Sequence, residues 1–112
     1  MSDAAAARRV ALGLPEAVEQ SHHGFPSFRV RGKIFATLPE PDRLNVMCDE
    51  SGVREAVAEY PETCAEQWWG KRLSAVRVDL ANADERLLTE LLTDAWRHKA
   101  PRALVARFDS GG

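Results

Sequence analysis

Alternation of apolar and polar residues is sharpest over Ser27–Thr37, where two short runs flank Gly32-Lys33. That pattern predicts a β-hairpin of strands Ser27–Arg31 and Ile34–Leu38, with Gly32 opening a type II′ turn. In this register Val30 faces Phe35 and Phe28 faces Thr37, giving one apolar face. Arg29, Arg31, Ile34, Ala36 and Leu38 fall on the other, mixed face. Upstream, Ala7, Val10, Ala11 and Leu14 recur at helical spacing behind the cap residue Asp3, and Pro15 stops that helix. Residues 17–23 read as an extended lead-in, and Pro39-Glu40-Pro41-Asp42 as a turn.

Arg43–Cys48 reads as a third strand, with Leu44, Val46 and Cys48 pointing one way. Asp49 caps a second helix that runs to Tyr60 and ends at Pro61. Thr63–Trp69 and Leu73–Leu80 form a second hairpin around Gly70-Lys71-Arg72, with Val76, Val78 and Leu80 inward. Asn82 with Glu85 suggests a capping box for the last helix. Its face is Leu87, Leu88, Leu91, Leu92, Ala95 and Trp96. Pro101 follows, then a short tail, Arg102–Phe108, with fraying expected over 109–112. The order is α-β-β-β-α-β-β-α. Short links demand antiparallel pairing, so the expected fold is a two-layer α+β domain over residues 1–112. Its five-stranded antiparallel sheet is covered on one face by three helices.

Composition narrows the class. The chain has 112 residues, 45% hydrophobic and 29% charged, with a net charge of −2. A protein coated in positive charge is excluded, so any anion-binding function must use a local patch. Cys48 and Cys64 have neither disulfide-framework nor zinc spacing and read as thiols of a cytoplasmic protein. No apolar run is long enough to span a membrane, and no secretory leader is read.

The candidate chemistry lies in the hairpins. Arg29, Arg31, Lys33 and Arg43 belong to the first half of the sheet. Lys71, Arg72 and Arg77 belong to the second hairpin, with no acid between Trp68 and Val78. If the hairpins lie side by side, these seven cations form a phosphate-binding surface. The bland alternative is that they are solvated strand residues guarding the sheet against edge pairing. The acids Asp49, Glu50, Glu55, Glu59, Glu62 and Glu66 make the second helix and its flank repel phosphate. Trp68 and Trp69 are adjacent, so alternation sends only one inward. The other stacks on a base or anchors a protein partner, unless the tail 104–108 covers it. His22 and His23 suit turn hydrogen bonding better than a metal, because no further ligand sits at the right spacing. No nucleophile motif or phosphate-cradling glycine loop is present, so neither a catalytic residue nor a cofactor is assigned.

Three stretches taken together carry a family resemblance. They are Ala11-Leu12-Gly13-Leu14-Pro15-Glu16, His23-Gly24-Phe25-Pro26-Ser27-Phe28-Arg29-Val30 and Gly32-Lys33-Ile34-Phe35-Ala36. With the closing helix ending in Ala95-Trp96, the chain resembles the MmcQ/YjbR family of small bacterial proteins over nearly its whole length. The resemblance implies the element order read above. It also implies DNA binding through a double wing of two β-hairpins, which here carry the cations named above. Many relatives place an aromatic residue at the start of the fifth strand, where this chain has Leu73, so the packing of the second hairpin is left open. The expected partner is DNA, contacted weakly and with little sequence readout. The competing expectation is a protein-interaction or chaperone-like module that uses the open sheet face.

Overall fold

The computed structural model describes residues 1–111. Helix α1 (Ala4–Leu12) starts where the Asp3 carboxylate accepts from the Ala6 amide at 2.9 Å, which satisfies one of the unpaired first-turn donors. It is followed by β1 (Ala17–His22), β2 (Phe25–Val30), β3 (Lys33–Glu40) and β4 (Arg43–Met47). Helix α2 (Glu50–Glu59) leads into β5 (Cys64–Trp69) and β6 (Arg72–Asp79). A 3-10 turn (Leu80–Asn82) connects β6 to helix α3 (Glu85–Lys99), and helix α4 (Arg102–Asp109) ends the described chain. The strands form one antiparallel sheet in the order β1-β2-β3-β4-β6-β5.

The sheet has six strands, not five. The lead-in 17–22 pairs along its full length with β2, from Ala17 opposite Val30 to His22 opposite Phe25. Its residues Val-Glu-Gln-Ser lack an alternating apolar face because β1 is an edge strand beyond most of the helical cover. The cap of α3 also differs. Asp84, not Asn82, accepts from the Leu87 amide, at 2.8 Å, while Asn82 donates to Asp79. The tail is a full helix, held to the core by Leu104 and by Phe108, whose ring lies 5.0 Å from that of Trp96.

The first turn is one residue earlier than the alternation suggests. Arg31 and Gly32 are its central residues, and both have positive φ, 50° and 80°. Those are the signs of a type I′ turn, whose twist matches that of the strands it joins. His23 and Gly24 repeat the signs between β1 and β2, at 51° and 87°. At the β5–β6 turn only the first central residue, Gly70, has positive φ (63°), as type II′ requires.

Two irregularities in β3 then revise its faces. Against β2 the register shifts within the Ile34–Ala36 stretch, and against β4 it shifts between Thr37 and Glu40. Each shift places one extra residue in β3, so strict alternation fails there. Phe35, Ala36 and Leu38 therefore all join Phe28 and Val30 in the core, and the expected placement of Ala36 and Leu38 on the outer face is wrong. Leu44, Val46, Val76 and Val78 complete the sheet's inner face. Helices α1, α2 and α3 cover that face with Ala7, Ala11, Val53, Leu88, Leu92 and Trp96. Each fully buried leucine or valine there is worth about 1.5–3 kcal/mol. Among the described residues no helix lies on the opposite face of the sheet.

Candidate nucleic-acid interface

Strand polarity places the basic elements. Along the sheet the six strands alternate in direction, so the β2–β3 and β5–β6 turns emerge at the same end. They are three strand spacings apart, about 14 Å. The sequence brings the two tips to one end because β4 alone crosses between the two hairpins.

The seven predicted cations divide into two groups. Arg31, Lys33, Lys71 and Arg72 lie at or beside the two turns. Arg29, Arg43 and Arg77 lie within strands, opposite Val18, Asp79 and Asn45 respectively. Those neighbours put all three on the uncovered face, because directly opposed residues share a face.

Two of the seven are already neutralised. Arg31 forks onto the carboxylate of Glu16, donating from Nη2 at 3.1 Å as well as from Nε. Arg43 pairs with Glu40 across the Pro41-Asp42 turn. Lys33, Lys71, Arg72, Arg29 and Arg77 have no acidic partner among the described residues. The sequence gives little sign of the Glu16 pair. It depends on Glu16 taking a left-handed backbone (φ 59°) at the start of β1.

The hydrogen bond from Arg31 holds Glu16 below the usual carboxylate range. A lowered folded-state pKa contributes stability above the ordinary carboxylate value and loses it as pH falls through the lowered one. NMR titration should therefore find Glu16 below the ordinary glutamate range, and Arg31→Ala should return it to that range. A Glu16 midpoint unmoved by Arg31→Ala would show that the pair does not persist in solution.

The tryptophans do not follow the expectation that one is core and one exposed. Trp68 lies opposite Leu73 on the helix side, Trp69 opposite Arg72 on the uncovered side, and their exposures are 44% and 47%. Both stay half-exposed because β5 is an edge strand, and the tail packs on Trp96 instead of covering them. Leu73, whose packing the sequence left open, is buried in the core. The Trp68 indole donates to Glu66 at 3.0 Å. Below the second hairpin lies a cleft of about 890 Å³, lined by Trp68, Trp69, Lys71, Arg72, Asp49 and His98 among others.

Sequence reasoning missed a polar row on the uncovered face. Gln20, Ser27, Thr37, Asn45, Arg77 and Ala65 stand directly opposite one another across all six strands. Ser27, Thr37 and Asn45 are buried although no helix covers them. Longer neighbours such as Arg29 shade the row; Arg29 donates to the Ser27 hydroxyl at 3.1 Å. The Asn45 Oδ1 is buried without a hydrogen bond. The only signal in the sequence was an asparagine alternating with Leu44 and Val46.

His22 and His23 sit at the β1–β2 turn with ring centroids 4.3 Å apart. No group of three or more potential metal ligands gathers among the described residues. Burial pushes both cysteine thiols up to about 11, so each is protonated at neutral pH. No helix among the described residues is long and apolar enough to cross a membrane.

The YjbR family model matches residues 12–98, from the end of α1 to the end of α3. The chain belongs to the YjbR family. Its six strands, α2 and nearly all of α3 fall inside the YjbR match, whereas α4 and all of α1 but its last residue, Leu12, lie outside it. The crystal structure of Deinococcus radiodurans protein DR2400, described by the domain DUF419, is similar at a TM-score of 0.66 and 23% identity. That similarity covers 80% of this chain and 72% of the other, and it supports the YjbR fold alone. No curated protein matches the chain.

Proposed function

We propose that this YjbR-family protein is a weak DNA-binding protein, not an enzyme, that meets phosphates through its two hairpin tips. One observation supports this most directly. Both tips leave the same end of the sheet and carry Lys33, Lys71 and Arg72 free of acidic partners. Projecting cations about 14 Å apart meet two phosphates without the sheet having to enter a groove. Arg31 is a reserve contact, available only when Glu16 lets go.

Fluorescence anisotropy with a labelled duplex at low salt tests the proposal. Wild type should bind, and Lys71→Ala combined with Arg72→Ala should weaken binding severalfold. A duplex that does not bind at low salt, or that binds the double variant equally well, would sink the proposal.

The second reading is a protein-interaction module, favoured by the exposed Trp68, Trp69 and Val18. It predicts a concentration-dependent mass in sedimentation and little sensitivity to salt.

A further inference from the structure

Charge is segregated between the two faces of the sheet. Among the strand acids, Glu19 and Glu66 lie opposite Phe28 and Val76, which places them on the helix side. Glu40 and Asp79 lie at the end of the sheet away from the basic tips. Away from that end, the uncovered face holds Arg29, Arg77 and, beside the second tip, Arg72, and no acid among the described residues. In a chain of net charge −2, this face is a cationic surface with an exposed aromatic, Trp69, at its edge.

We propose that the uncovered sheet face binds single-stranded nucleic acid, with Arg29, Arg77 and Arg72 on phosphates and Trp69 stacked on a base. This rests on the nucleic-acid reading above and changes its preferred partner. Size decides against a duplex here. Six strands make a surface about 24 Å wide, whereas the major groove is about 12 Å wide and admits only a helix or a two-stranded ribbon. A duplex therefore reaches the tips alone. A single strand lies flat on the sheet, with its backbone along the arginines and its bases splayed.

The run from β2 to β5 spans four strand spacings, about 19 Å. Recognition sheets of comparable width take two or three bases by aromatic stacking. Asn45 supplies a polar position in the middle of this run. The residue is 7% exposed and stands directly opposite Arg77, and its Oδ1 is buried with no donor. Base edges present N–H donors that such an acceptor can use once Arg77 turns onto a phosphate. The face reads no long sequence, because stacking accepts every base.

The experiment compares a fluorescein-labelled 12-nucleotide oligothymidine with a duplex of the same length, by anisotropy at low salt. Wild type should bind the single strand more tightly than the duplex. Trp69→Leu keeps apolar bulk but removes the aromatic plane, and should weaken the single strand about tenfold while sparing the duplex. Trp69→Phe should recover most of that loss, and Arg29→Ala with Arg77→Ala should weaken the single strand further. Circular dichroism of each variant confirms folding; these side chains lie outside the core cluster. Tighter duplex binding, or single-strand binding unmoved by Trp69→Leu, would overturn this inference and leave the hairpin-tip reading standing. If neither nucleic acid binds at low salt, both readings fall and the face is left to a protein partner.

Discussion

Trp96→Ala is expected to remove about 3–5 kcal/mol of folding stability, the largest loss from a single substitution in this chain. Trp96 is the largest fully buried side chain. Its indole donates to the Pro15 carbonyl at 2.9 Å, which ties α3 to the loop between α1 and β1. Its other side carries Phe108, the residue that seats α4. Arg97 reinforces that seat, with its guanidinium 5.4 Å from the Phe108 ring and 2.6 Å from Asp109. Removing the ring opens a cavity where three segments meet. A domain of this size holds only about 5–15 kcal/mol in total. The variant should therefore unfold at a much lower urea concentration, measured by far-UV circular dichroism. Trp96→Phe separates packing from hydrogen bonding. It fills most of the volume but strands the Pro15 carbonyl, and should cost about 1–3 kcal/mol. A loss below about 1 kcal/mol for Trp96→Ala would show that α4 and the Pro15 loop are not held through this ring.

The core was legible because its signals are local. The Leu87–Trp96 face repeats at helical spacing, and Asp3 and Asp49 stand at the starts of their helices and cap them. The strand count was not, because β1 has four exposed residues in six and so lacks the alternation that marks a half-buried strand. The faces of β3 were misread for a different reason. An extra residue in a strand shifts every later side chain, and nothing in Ile34-Phe35-Ala36 announces it. The candidate site was half visible. All seven cations could be named, but their partners could not. Glu16 and Arg31 are fifteen residues apart in sequence and meet only because both adopt left-handed backbone at adjacent chain reversals. The polar row escaped notice because it exists only across strands, one residue from each.

Salt dependence gives the hairpin tips their sharpest expected signature on duplex DNA. Each phosphate neutralised contributes about −0.9 to the slope of log affinity against log salt. With Lys33, Lys71 and Arg72 engaged, the slope should be about −2.7, a loss of roughly 40-fold between 50 and 200 mM salt. Lys71→Ala with Arg72→Ala leaves one tip cation, so the slope should flatten to about −0.9 and the loss shrink to about three- to fourfold. The Glu16–Arg31 fork allows a test in the opposite direction, because Arg31 is withheld in wild type by its carboxylate partner. Glu16→Gln removes that charge and should steepen the slope by about 0.9, making the variant the tighter binder at low salt. General charge alone would give the same gain for one acid lost anywhere on the surface, so position is what the control must isolate. The control is Glu55→Gln, which makes the same change of net charge on exposed α2 and should leave the slope untouched. If both glutamine variants steepen the slope alike, the tips have no special role and the binding is diffuse.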